Sequence, residues 1–187
     1  MKTQTRSRPR RKHRGFTLIE MMVSLVVLSV CSYLLTSTIS ATIAHSVTQR
    51  EQAVATDAAA NVFEDMRNEQ FLELLRLYDD DPLNDPLGPG TAAGMNFAVT
   101  GLTPFDGDLD GFVGRITLPL IDGELREDCN LPQLELPRDL NGDTMVDAKD
   151  HKDDFIILPV MVTIEWDGFA GKRTLEITTM LAGLMEL

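Results

Sequence analysis

Between Phe16 and Asp81 the chain contains no glycine and no proline, a gap of 66 residues in a sequence that holds 13 and 9 of them elsewhere. Without those breakers there is no signal for a turn, so the gap predicts one long helix, reaching on the order of 90 Å if unbroken to Tyr78. Basic side chains are also scarce after the start. Seven of the 17 Lys and Arg fall within the first 15 residues, leaving ten against 29 acidic side chains and a net charge of −19 on the remainder. So acidic a body repels phosphate backbones, and no basic stripe offsets it, which argues against a nucleic-acid partner. Only two cysteines occur, Cys31 and Cys129, too few for a disulfide framework. The three histidines, His13, His45 and His151, are spread over distant segments, and no serine or cysteine stands in a nucleophile motif. An enzyme, with a small-molecule substrate, is therefore not expected. At 187 residues the chain has room for one modest domain with appendages and not for two large ones.

What is present begins with the leader. Lys2, Arg6, Arg8, Arg10, Arg11, Lys12 and Arg14 precede 24 consecutive uncharged residues from Met21 to Ala44, enough to span a bilayer as a helix. The basic flank keeps the N-terminus in the cytoplasm and sends the body across. Ordinary secretory cleavage lacks its small residues. A twin-arginine signal fails because Lys12, His13 and Arg14 follow Arg10 and Arg11. A lipidation site at Cys31 lacks the small residue that Val30 displaces. Against all three stands Gly15-Phe16-Thr17-Leu18-Ile19-Glu20, with a carboxylate inside the start of an apolar helix, an expensive placement unless it is paired.

That run resembles the type III signal of type IV pilins and pseudopilins. The resemblance implies cleavage by prepilin peptidase between Gly15 and Phe16, methylation of the new terminus, and pairing of Glu20 with the N-terminal ammonium of a neighbouring subunit during assembly. It covers about 30 residues. It also implies an α+β pilin-like fold, a long N-terminal helix with a transmembrane half and an amphipathic half, packed on a small antiparallel sheet. The expected organisation is a removed leader over 1–15, a membrane or filament-core helix over 16–44, its amphipathic continuation over 45–80 and an acidic, β-rich globular domain over 81–187. Major pilins commonly carry a helix-loosening proline that is missing here, which leans toward a minor subunit.

Past His45 the apolar residues Val47, Val54, Ala58, Val62 and Met66 recur at helical spacing, and Phe71, Leu74, Leu75 and Tyr78 continue the pattern. A turn-rich stretch over 79–96 follows. Strands are predicted at 96–100, 112–120, 155–166 and 172–181, the last two joined through Asp167-Gly168-Phe169-Ala170-Gly171 as a hairpin.

One loop carries ligand chemistry. Asp139, Asn141, Asp143, Asp147 and Asp150 place oxygens at positions 1, 3, 5, 9 and 12 of a twelve-residue stretch, with the Met145 carbonyl at position 7. That spacing wraps a hard cation, calcium above all, and resembles a dockerin-type loop more than a calmodulin-like one. A solvated aspartate turn is the competing reading. A second stretch, Asp106, Asp108 and Asp110, supplies three carboxylates, but Gly114 and Thr117 stand where further ligands would be needed, so a plain β-turn competes with calcium over 106–117.

The sequence therefore reads as a minor pilin or pseudopilin that assembles into, primes or caps a filament of a type II secretion system or type IV pilus. Its expected partners are other pilin or pseudopilin subunits, prepilin peptidase and the inner membrane, with a periplasmic body and a filament as its final site. The alternatives are a single-span calcium-binding protein that never assembles and a DNA-uptake minor pilin.

Overall fold

A computed structural model describes residues 15–183. The basic leader lies outside them, apart from Gly15. The chain divides into a unit that ends at Ile43 and one that begins at Ala44.

Helix α1 runs over Leu18–Asn68. Thr17 stands just before it, and its hydroxyl accepts the Glu20 N–H at 3.3 Å, the N-cap bond of a Thr-x-x-Glu start. Within the first unit the helix is apolar on every side and exposed all round. Five of the eight serines and threonines there turn their hydroxyls back onto the helix: Ser24, Ser29, Thr36, Thr38 and Thr42 each donate to the carbonyl four residues earlier, which satisfies those polar groups within the helix.

In the second unit α1 becomes one-sided. Ala55, Ala59, Phe63 and Met66 are buried at intervals of four, four and three. The two alanines, both fully covered, keep the helix close to the sheet beneath it. Here the structure departs from the sequence expectation: α1 stops at Asn68 instead of running to Tyr78. The chain turns at Glu69 and Gln70, and a single 3-10 turn at Phe71–Glu73 leads into the one-turn helix α2, Leu74–Leu77. The reason is register. Five residues separate Met66 from Phe71, so an unbroken helix would swing Phe71 well off the buried face. The break returns Phe71 to Phe155, with ring centroids 4.7 Å apart, and buries Leu74, Leu75 and Tyr78.

The main sheet contains β1 (Asn96–Phe97), β2 (Gly114–Thr117), β5 (Ile157–Gly168) and β6 (Gly171–Ala182), antiparallel throughout and in the order β1-β2-β5-β6. The first two strands are shorter than predicted, and the hairpin is longer, its loop reduced to Phe169 and Ala170. A separate ribbon, β3 (Leu120–Ile121) with β4 (Glu124–Leu125), was not predicted. On β5, Leu158, Val160, Val162 and Ile164 are fully buried, the alternation of a strand with one face on the core. Each such side chain contributes about 1.5–3 kcal/mol on burial.

Candidate functional site

Two regions carry the residues singled out by the sequence. At the N-terminus, Gly15 and Phe16 precede α1 outside any helix or strand, and Phe16, Leu18 and Ile19 are all more than 70% exposed. Glu20 sits in the first turn, also exposed, and makes no ion pair among the described residues. The apolar run behind it is uncovered by the other described residues. Such a surface demands lipid or another protein around it.

The loop over 139–150 is built from the inside outward. Leu125, Glu127 and Cys129 alternate inward, while Arg126 and Asp128 pair outward at 2.7 Å. Glu127, 1% exposed, accepts the Leu140 N–H at 2.6 Å and the Asn141 N–H at 3.3 Å on one oxygen and the Asp147 N–H at 3.2 Å on the other. Leu125 completes the clasp: its N–H donates to Asp150 Oδ1 at 3.0 Å and its carbonyl accepts the His151 N–H at 2.9 Å. The segment 125–127 therefore holds both ends of the loop together.

Inside the loop, Asp139 accepts the Gly142 N–H at 2.6 Å and the Thr144 N–H at 2.7 Å through separate oxygens. Asn141 Oδ1 accepts from the Asp143 N–H, and Asp143 Oδ1 from the Met145 N–H. Gly142 has φ 83° and Thr144 has φ 69°. The second value is an outlier for a β-branched residue and marks local backbone strain.

His151, 4% exposed, lies at the loop's exit with Nε2 3.0 Å from Asp147 Oδ1 and Nδ1 3.0 Å from Asp154 Oδ1. Glu127 Oε2 is 3.8 Å from Nε2. Burial by itself lowers the imidazole pKa, but the hydrogen bonds to Asp147 and Asp154 and the charge of Glu127 together outweigh it and raise the value. Asp147 is held well below the usual carboxylate range, first by the Lys149 ammonium at 2.5 Å and then by the Lys149 N–H and His151. Glu127, Asp147 and His151 each bring one ligand atom within 4.8 Å of the others, a group with the donor set for a metal.

The structure thus brings Asp139, Asn141, Asp143 and Asp147 into one hydrogen-bonded loop and turns one Asp150 oxygen toward β4. Met145 is 59% exposed, with its N–H on Asp143. Glu127, His151 and Asp154 were not read as part of this site. Nothing local in the sequence marks Glu127, whose partners lie 13 to 20 residues away. In the second stretch, Asp110 accepts the Phe112 N–H at 3.0 Å and pairs with Arg115 at 3.3 Å, so one of its three carboxylates is already neutralised. Both cysteines are free thiols, Cys31 exposed on α1 and Cys129 buried, where desolvation raises its pKa.

A family model described as the prokaryotic N-terminal methylation motif matches residues 10–32. The chain therefore carries the type IV pilin signature, across the residues on which the pilin-like resemblance rested. No curated protein and no solved structure matches the chain. The long helix with an apolar stretch, followed by a small antiparallel sheet, is the α+β arrangement consistent with a pilin fold.

Proposed function

We propose that the protein is a minor pilin or pseudopilin, processed between Gly15 and Phe16 and inserted into a helical filament of a type II secretion system or type IV pilus. The observation that carries this reading is the conjunction of the methylation motif at 10–32 with an apolar helix that no other described residue covers. Before assembly the inner membrane covers it; afterwards, neighbouring helices do. Proteins bearing this motif are generally structural, and the role here is assembly rather than chemistry.

Glu20 supplies the register. Its carboxylate is tolerable in an apolar surround only with a partner cation, and the ammonium left at Phe16 on an adjacent subunit is that partner. The 139–150 loop is the place for calcium, held by Asp139, Asn141, Asp143, the Met145 carbonyl and Asp150, with Asp147 at position 9. The separation of the loop's ends is already fixed by Glu127 and Leu125. The periplasmic side of the membrane supplies the ion.

Glu20→Val tests the assembly reading. The variant should be cleaved and inserted like the wild type yet crosslink less to other filament subunits. Crosslinking equal to wild type would mean that Glu20 serves only the anchor, as in a single-span protein that never assembles.

A further inference from the structure

Asp147 and His151 stand four residues apart at the exit of the 139–150 loop, and the backbone clasp brings Glu127 to them from 20 residues before Asp147. With His151 Nδ1–H donated to Asp154 Oδ1 at 3.0 Å, the lone pair of the neutral ring falls on Nε2. Nε2 faces Asp147 Oδ1 at 3.0 Å and Glu127 Oε2 at 3.8 Å. A lone pair aimed at two carboxylate oxygens is repelled unless a positive charge stands between them. A proton on Nε2 reaches Asp147 but leaves Glu127 beyond hydrogen-bond distance. Glu127 is almost wholly buried and makes no other ion pair among the described residues. A metal ion in the same place meets all three atoms.

The geometry suits a small ion. Tetrahedral zinc, with bonds of about 2.0–2.1 Å, holds its ligand atoms roughly 3.3 Å apart. The separations from Nε2, 3.0 and 3.8 Å, lie on either side of that value, and all three atoms fall within 4.8 Å of one another. Each ligand oxygen accepts one backbone N–H, Glu127 Oε2 that of Asp147 at 3.2 Å and Asp147 Oδ1 that of Lys149 at 2.9 Å. Those bonds orient the carboxylates and leave each oxygen a lone pair. Asp154 orients the imidazole in the same way, and is itself steadied by Asn141 Nδ2 at 3.2 Å on its other oxygen. Around the ring, Glu127, Asp147 and Asp154 are offset only by the Lys149 ammonium, which sits on Asp147 Oδ2. The excess of two negative charges is what a divalent ion cancels. One imidazole nitrogen with two carboxylate oxygens is a zinc donor set, whereas calcium takes about six to eight oxygens at about 2.3–2.6 Å.

We propose that Glu127 Oε2, Asp147 Oδ1 and His151 Nε2 form a zinc site distinct from the calcium ligands of the loop, with water in the fourth position and Asp154 as the positioning residue for the imidazole. The two sites share Asp147 alone. It stands at position 9, where calcium is often reached through water, so its Oδ1 is left to zinc. Zinc there ties the segment after β4 to the loop's exit and fixes the frame in which the calcium ligands sit. The site does not depend on the calcium reading.

The test uses the full chain in detergent, stripped with chelator and carrying His13→Gln and His45→Gln, so that His151 is its one imidazole. Zinc, manganese, calcium and magnesium are titrated singly, and X-ray absorption at the zinc edge reads the ligands. One zinc should bind per chain, with one imidazole and with oxygens at about 2.0–2.2 Å, and excess calcium should not displace it. Manganese should bind more weakly than zinc. Asp154→Asn, at an exposed carboxylate, should weaken zinc by about 10–100-fold with unchanged circular dichroism, and His151→Gln should abolish zinc binding while Asp139→Ala keeps it. No zinc binding, or bound zinc without an imidazole, overturns the site whether or not His151→Gln folds. Zinc retained by a folded His151→Gln chain, or displaced one-for-one by calcium, overturns it equally. An Asp154→Asn chain that binds zinc like its parent overturns the positioning role. Zinc binding without calcium binding removes the calcium reading alone; calcium binding without zinc binding removes this inference alone.

Discussion

Replacing Glu127 by alanine should unfold the globular unit more readily than any single change among the loop's own aspartates. The substitution strands three backbone donors, Leu140, Asn141 and Asp147, the first inside a fully buried residue. It also takes the third carboxylate from around His151. A hydrogen bond to a charged group contributes about 1.5–3 kcal/mol, and removing one partner of a buried pair costs about 3–5 kcal/mol, so the loss should fall near ~3–5 kcal/mol. Glu127→Gln separates the charge from the hydrogen bonds. It keeps one acceptor for the Leu140 and Asn141 N–H groups but sets its NH2 against the Asp147 N–H, donor facing donor, and about 1–3 kcal/mol should be lost. The assay is urea unfolding of the full chain in detergent with chelator, followed by the fluorescence of Trp166. With an m-value of roughly 1–3 kcal/mol per molar, the alanine midpoint should fall by on the order of 1–5 M. If both variants unfold within ~0.5 kcal/mol of wild type, the clasp does not organise this loop and the account of the site is wrong.

Two glycine exchanges in the same loop should move stability in opposite directions. Thr144→Gly relieves a β-branched residue at φ 69° and should raise stability by ~0.5–1 kcal/mol, whereas Gly142→Ala, at φ 83° with a Cβ 2.9 Å from Ile156, should lower it by about 1–2 kcal/mol, both read by thermal unfolding. Calcium should raise the wild-type midpoint by an amount equivalent to about 2.7 kcal/mol at a hundredfold excess over Kd, while magnesium does little and Asp139→Ala and Asp143→Ala abolish the gain. A response retained by both variants would move the ion to 106–110, and no response in any protein would leave the loop a solvated turn.

The parts of this molecule that are periodic in sequence were readable from it. The alternation of Val160, Val162 and Ile164 and the apolar face of α1 repeat over many residues, so each position reinforces the next. The buried stripe of α1 is nonetheless Ala55, Ala59, Phe63 and Met66, one position on from the expected Val54, Ala58 and Val62, which are only partly buried. The helix break at 69–70 was not readable, because no glycine or proline announces it. It comes from a one-residue slip in the apolar pattern between Met66 and Phe71, settled by packing on Phe155. The β3–β4 ribbon was invisible for a different reason, since two-residue strands carry no period. Within the loop the oxygen spacing was legible, but what braces it was not. Glu127 touches residues 13 to 20 positions away, and Glu51 caps a hairpin more than 110 residues downstream. Single carboxylates acting at that range leave no local signature.

The central claim, a filament subunit made from a prepilin, is tested most directly by mass spectrometry of the mature N-terminus from native membranes. The account predicts a chain that begins at Phe16 and carries a methyl group on its amine, with Gly15→Asp leaving the uncleaved precursor. A mature chain that begins at Cys31, or that retains Met1 in the wild type, would contradict it.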